Sequence, residues 1–98
     1  MAGPGPDASD VRDDPAHDRY VLAADGGTAI AAYRREGDVI AFVHTEVPDA
    51  LEGHGFGSAL IEGALADVRR RGLRMLPLCS FVAAYVERHP EVRDLVAN

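Results

Sequence analysis

The stretch Glu52–Ser58, which reads EGHGFGS, carries glycines at alternate positions directly before a helical pattern. Glycine lets the backbone turn with positive φ and approach a ligand closely, because it has no Cβ. Such a turn directs N–H groups outward, and the first turn of the following helix adds unpaired donors and partial positive charge. This pattern is typical of an anion site, above all for phosphate. A tight strand-to-helix turn that needs only the glycine conformations explains it as well.

Two familiar phosphate loops do not fit this stretch. A Walker loop requires a lysine after its last glycine, whereas Ser58 follows Gly57 here. A dinucleotide loop requires the pattern G-x-G-x-x-G, and Gly53 and Gly55 match its start while Ser58 occupies the place of the third glycine. The ligand is therefore a phosphate compound of another class, if the turn binds one.

Cys79, the one cysteine of the chain, lies between a predicted strand and a helix that we expect to begin near Ser80 as its N-cap. The helix dipole at that position would stabilise a thiolate and lower the pKa of the thiol. A small buried apolar residue is the alternative interpretation of Cys79. A single cysteine excludes an internal disulfide and a zinc site of several thiolates, and we expect no metal.

His44 and Glu46 are two residues apart on a predicted strand, so both side chains should lie on one face of it. Either group could accept a proton as a general base. Each could equally be a surface polar group with a satisfied hydrogen bond.

The elements that must position these residues follow from periodicity. The patterns predict three strands, at 19–24, 28–35 and 39–47. A helix follows from Gly57 until Gly72 stops it. A fourth strand at 73–78 and a second helix at 80–88, which ends before Pro90, complete the pattern. Glu91–Asn98 could add a further helical turn. We therefore expect an α/β (α+β) fold. A three-stranded antiparallel meander is followed by a helix, and a right-handed crossover through this helix leads to a parallel strand. A C-terminal helix ends the fold. The glycine turn falls at the carboxyl end of the third strand, where such sheets bind ligands.

Length and composition limit the function classes. The chain has 98 residues, 47% of them hydrophobic, which makes one small domain; residues 1–16, rich in aspartate, proline and glycine, predict a disordered acidic tail before a domain at 17–98. The net charge of −6 argues against nucleic acid or an anionic membrane as partner. Without a signal peptide or a membrane span, we expect a cytoplasmic protein, and its small size makes a homodimer plausible. Four arginines lie around the end of the first predicted helix: Arg69, Arg70, Arg71 and Arg74. They cap this helix end or, alternatively, contact a ligand phosphate.

The segment HTEVPDALEGHGFGSALIEGAL, together with PLCSFVAAYVERHPEV, resembles the GCN5-related N-acetyltransferases over roughly residues 17–96. Within that superfamily it is most similar to the small single-domain YjdJ-like, or NATD1-like, members. Glu52–Gly57 match the spacing of the R/Q-x-x-G-x-G/A motif, which holds the pyrophosphate of coenzyme A. Glu52 stands where the family usually has Arg or Gln.

The resemblance implies a minimal acetyltransferase fold with acetyl-CoA between the third and fourth predicted strands. It assigns CoA binding to Val47, Glu52, Gly53, His54, Gly55, Phe56, Gly57 and Ser58. It implies an amine acceptor, either a small molecule or a protein, whose proton His44 or Glu46 would take. Cys79 would carry the acetyl group as a thioester, or transfer would be direct, and Tyr85 matches the tyrosine that protonates the leaving thiolate in larger relatives. A CoA-binding sensor or interaction module without turnover is the alternative function.

Overall fold

A computed structural model describes residues 6–98 of the chain. It contains a five-stranded sheet and two α-helices. The strands are β1 (Arg12–Asp14), β2 (Arg19–Ala24), β3 (Gly27–Glu36), β4 (Val39–Glu46) and β5 (Arg74–Pro77); the helices are α1 (Phe56–Arg70) and α2 (Ser80–Arg88). Short 3₁₀ helices span Ala8–Asp10, Pro15–His17, Asp49–Leu51 and Pro90–Leu95. The last of these takes the place of the further helical turn that the C-terminal sequence suggests.

The strand order in the sheet is the sequence order, β1-β2-β3-β4-β5. The predicted meander is confirmed: β2, β3 and β4 pair antiparallel through the two-residue turns 25–26 and 37–38. The crossover through α1 places β5 parallel to β4, with Val39 opposite Arg74 and Phe42 opposite Pro77. Residues 43–46 of β4 extend beyond the end of β5, so the two strands no longer pair next to the turn that leads into α1.

The prediction of a disordered tail is wrong for residues 8–16. This segment folds onto the domain, and β1 pairs antiparallel with β2. Two features compensate for its lack of apolar residues: Val11 packs against the core, and Asp13 accepts hydrogen bonds from Tyr33 (2.6 Å) and Arg71 (3.0 Å). Residues 1–5 of the predicted tail lie outside the described part of the chain.

The core lies between one face of the sheet and the two helices. The face of α1 that the 3.6-residue period predicts is buried: Leu60, Ile61, Ala64, Leu65 and Val68. These side chains pack on the sheet face that carries Tyr20, Phe42 and Met75, and Val82 and Val86 of α2 join the same cluster. Neither helix of residues 6–98 has the length and apolar character that a bilayer crossing requires.

Candidate functional site

A β-bulge in β4 decides which side chains of this strand face the helices. Ala32 pairs with His44 and Tyr33 with Phe42, so Val43 is an extra residue with no partner in β3. The extra residue reverses the alternation of the strand, so Thr45 lies on the same face as Phe42. It pairs with the buried Ala31 of β3. His44 and Glu46 consequently point to the other face of the sheet, and both are exposed.

The glycine turn has the backbone conformation that an anion site requires. Gly53 (φ 79°) and Gly55 (φ 84°) are left-handed, a conformation that other residues rarely adopt. Gly55 is the N-cap of α1, and its lack of a side chain leaves the amides of the first helical turn uncapped. A Cβ at Gly53 would find no atom within 4 Å, so the space in front of this backbone is accessible to a ligand.

Gly57 serves a different purpose from the two glycines before it. Its φ is helical, and the ring of Phe81 in α2 occupies the space that a side chain would need: a Cβ would lie 2.5 Å from Cζ of Phe81. The third glycine of the motif is therefore required for the close packing of α2 against the first turn of α1.

A cleft of about 430 Å³ lies between the glycine turn, the end of β4 and the start of α2. All of the predicted CoA-binding residues except His54 line it. The lining also contains Thr45, Leu51 and Phe81, which the sequence analysis did not single out. Thr45 carries no signal in the sequence, since plain alternation along β4 assigns it to the face opposite Phe42.

Cys79 is not among the residues that line the cleft, but it is the neighbour of Thr45, which does. It is half-buried and is the N-cap of α2, so Ser80 is the first residue of the helix and not its cap as predicted. The Sγ atom is 3.4 Å from Oγ1 of Thr45, and the Cys79 amide donates to the Phe42 carbonyl (2.9 Å). Burial acts to raise the pKa of the thiol, but the Thr45 hydroxyl and the amides of Val82 and Phe81 outweigh burial, so the pKa lies below its ordinary value. A lowered pKa and partial exposure are features that reactive cysteines share.

The predicted pairing of His44 and Glu46 on one face is confirmed, and Nε2 of His44 is 2.9 Å from Oε2 of Glu46. The pair lies on the face of the sheet opposite the one that packs against the two helices. The bulge thus separates it from the cleft, which opens on the helical side of β4 at Thr45 and Val47.

Tyr85 lies outside the residues that line the cleft. Its ring is buried and stacks on His89 with the ring centroids 3.8 Å apart. It faces a groove between the two helices that Glu62 and Leu65 of α1 also line. Burial, together with the nearby carboxylates of Glu62 and Glu91, raises the pKa of the Tyr85 phenol, which stays neutral.

The arginine cluster at the end of α1 forms intramolecular contacts. Arg69 binds Asp94, Arg70 and Arg71 bind Asp67, and Arg74 donates to the Val96 carbonyl. These contacts favour the structural interpretation of the cluster over a contact with a ligand phosphate.

Comparisons with known proteins agree with this architecture. A family model described as GCN5-related N-acetyl-transferase matches residues 19–95. The solution NMR structure of a GCN5-like protein from Staphylococcus aureus superposes with a TM-score of 0.69 at 21% identity, covering 93% of this chain and 90% of that one. At this identity the likeness concerns the fold. No curated protein matches the chain.

Proposed function

The chain belongs to the GCN5-related N-acetyltransferase family, and from this premise we propose that it transfers the acetyl group of acetyl-CoA to an amine. The observation that supports this most directly is the cleft, which joins the glycine turn at one end to Thr45, the neighbour of Cys79, at the other. The cleft offers a place for an anion, and the sulfur of Cys79 lies one hydrogen bond away from its lining. We further propose membership of the small single-domain subgroup.

The residues of the turn fit the pyrophosphate of CoA. Gly53 and Gly55 are left-handed, Gly53 leaves space in front of the backbone, and the uncapped first turn of α1 supplies N–H donors with partial positive charge. Bound there, acetyl-CoA supplies an activated acetyl thioester. Glu52 lines the same cleft and is exposed, so its carboxylate lowers the affinity for this anion.

In the proposed route, Cys79 accepts the acetyl group first. The thiolate attacks the acetyl carbonyl, a new S–C bond forms on Cys79, and the bond to the CoA sulfur breaks, which releases CoA as a thiolate that takes up a proton. The nitrogen of a neutral amine then attacks the Cys79 thioester, the S–C bond breaks, and the thiolate is regenerated. The position at the N-terminus of α2 and the lowered thiol pKa support this route over direct transfer.

The proposed base is the His44–Glu46 pair. In the tautomer that donates Nε2–H to Glu46, the Nδ1 atom of His44 remains free to accept the amine proton. Because the pair lies on the face of the sheet opposite the helices, the amine would approach from that side and reach the thioester through the gap where residues 43–46 of β4 extend beyond β5. Tyr85 would require a change of side-chain position to protonate the leaving thiolate, and we assign it no step.

The acceptor amine belongs to a small molecule or to a protein in this proposal. The net charge of −6 favours a cationic acceptor over nucleic acid or anionic membranes. We place the reaction in the cytoplasm and propose a homodimer, whose second subunit would extend a short acceptor groove.

Native mass spectrometry with acetyl-CoA, followed by denaturation and peptide mapping of the same sample, tests this function. We expect a non-covalent complex and an acetyl group retained on Cys79, and no retained acetyl in Cys79→Ala. Binding without retained acetyl contradicts the covalent route, as would full turnover in Cys79→Ala. Absence of binding would contradict the assignment of the turn to CoA.

A CoA-binding sensor without turnover is the second candidate, and one observation favours it. Among the residues described as lining the cleft, Glu52 alone has an ionisable side chain, so no histidine base faces the bound thioester. Consumption of acetyl-CoA with a panel of amines separates the two functions. Turnover with any amine supports the enzyme, whereas tight binding with no turnover across the panel supports the sensor.

A further inference from the structure

Thr45 is the residue that connects the cleft to Cys79. It lines the cleft beside Val47 and Phe56, and its Oγ1 atom lies 3.4 Å from the sulfur of Cys79. The half-buried side chain of Thr45 therefore contacts both the cleft and the sulfur of Cys79. No other residue of the cleft lining forms a side-chain hydrogen bond to Cys79 within residues 6–98.

The backbone fixes both partners of this contact. The bulge at Val43 turns Thr45 toward the helices, as its partner Ala31 on the buried face of β3 shows. The bond from the Cys79 amide to the Phe42 carbonyl holds the start of α2 against the same strand. Since the positions of the hydroxyl and the sulfur are set by β4 and by its hydrogen bond to the start of α2, the contact does not depend on a mobile loop.

We propose that Thr45 is a positioning residue for Cys79, whose hydroxyl orients the sulfur toward the cleft and donates a hydrogen bond to the thiolate. A thiolate is only an acceptor, so the hydroxyl must act as the donor once the proton has left. A hydrogen bond to the charged form favours that form. The catalytic meaning of this role rests on the proposed function, but the contact itself can be measured without turnover.

Hydrogen-bond donors, and not charges, stabilise the thiolate. Within residues 6–98, Glu52 and the other charged side chains are not among the groups that shift the pKa of Cys79. His44 and Glu46 lie on the opposite face of β4, and the sequence places no charged residue in the first turn of α2. The groups that favour the thiolate are therefore the Thr45 hydroxyl and the amides of Val82, Phe81 and Thr45, and the hydroxyl is the largest of these contributions.

The test is the rate of Cys79 alkylation by iodoacetamide as a function of pH, in the full chain without CoA. Thr45→Val removes the hydroxyl and keeps the shape, whereas Thr45→Ser keeps the hydroxyl. We expect the midpoint of the Thr45→Val profile to move to higher pH, with alkylation at neutral pH slower by about threefold or more, and Thr45→Ser to stay near the wild type. The matched control is Thr28→Val, an exposed threonine at the start of β3, which should leave the profile unchanged.

An unchanged midpoint in Thr45→Val overturns the proposal, as does an equal shift in Thr45→Ser and Thr45→Val. Cys79 is the only cysteine, so the readout is specific to it, and circular dichroism of each variant shows whether it has folded. If Thr45→Val loses its fold, Thr45→Ala takes its place: a midpoint that moves to higher pH supports the proposal, and an unchanged midpoint overturns it. The Thr45→Val midpoint could shift while the wild-type protein retains no acetyl group. This result would support the role of Thr45 and contradict only the thioester route.

Discussion

The ring of Phe81 packs directly over Gly57, with Cζ 2.5 Å from the place where a Cβ would stand. This contact joins the first turns of the two helices beside the glycine turn. Phe81 is also half-buried in the cleft wall, so a ring displaced from Gly57 can move into the cleft.

Gly57→Ala should therefore weaken acetyl-CoA binding more than it changes stability. Alanine in a helix gains about 1 kcal/mol over glycine, and displacing the ring from its preferred rotamer costs about 0.5–1.5 kcal/mol. We expect these effects to nearly cancel in the free energy of unfolding while the displaced ring narrows the cleft. Isothermal titration and urea unfolding measure the two quantities. Adding Phe81→Leu to Gly57→Ala should restore binding, and failure of this rescue would show that the ring is not the cause.

Gly63→Ala should release the N-terminal segment from α1. A Cβ at this position would collide with the backbone carbonyl of Ala8 and lie 2.5 Å from Cγ2 of Val11, and a backbone atom cannot move aside as a ring can. We expect trypsin to cleave faster after Arg12. Cleavage after Arg35, at the distant β3 end, is the internal control. Equal acceleration at both sites would indicate general destabilisation instead of local release.

Asp67→Asn should reduce stability at neutral pH and lose this effect in acid. Burial raises the pKa of Asp67, but hydrogen bonds from Tyr20 (2.7 Å) and Arg71 (3.0 Å) outweigh burial and hold it below the ordinary value of 3.8. Because the folded-state pKa is lowered, the stabilisation is present above pH 3.8 and disappears as the pH falls through the lower, folded value. We expect a loss of about 2 kcal/mol near pH 7, measured by urea unfolding across pH. Asp49→Asn, at an exposed position, is the control, and a pH-independent loss in Asp67→Asn would contradict the assignment.

Glu52→Gln should increase the affinity for CoA. The substitution removes a negative charge from the cleft lining and keeps the size of the side chain. At about 1 kcal/mol for a partly solvated charge pair, the dissociation constant should fall about fivefold in low salt, and the gain should shrink as salt is added. Glu62→Gln, on the exposed side of α1, should have no such effect. Equal affinity of Glu52→Gln and the wild type at low salt would mean that Glu52 points away from the bound anion.

His44→Ala should alter the pH–rate profile of acetyl transfer once an acceptor amine is found. If His44 takes the amine proton, its loss changes the pH dependence of kcat/KM and lowers the rate by about 10²-fold or more. Glu46→Gln, which keeps a hydrogen-bonding group beside Nε2, should give a smaller loss. A His44→Ala profile that coincides with the wild type would exclude the residue from proton transfer.

Much of the fold could be predicted because its signals are local. Alternating apolar residues marked β2, β3 and β4, the 3.6-residue period marked α1, and Pro90 marked the end of α2. The glycine turn was likewise visible, since the left-handed conformations of Gly53 and Gly55 are a property of the turn itself. The first strand was missed because its stability comes from distant partners, Tyr33 and Arg71, and not from its own composition.

The sequence by itself determined which residues have useful chemistry: a glycine turn before a helix, a cysteine at a helix start, and a histidine next to a carboxylate. Only the tertiary structure decided which of them share a site. A single extra residue at Val43 reverses the alternation of β4, which brings Thr45 to Cys79 and turns His44 and Glu46 to the opposite face. A bulge depends on how β3 and β4 pair, and pairing between strands is a long-range contact that no periodicity within one strand specifies.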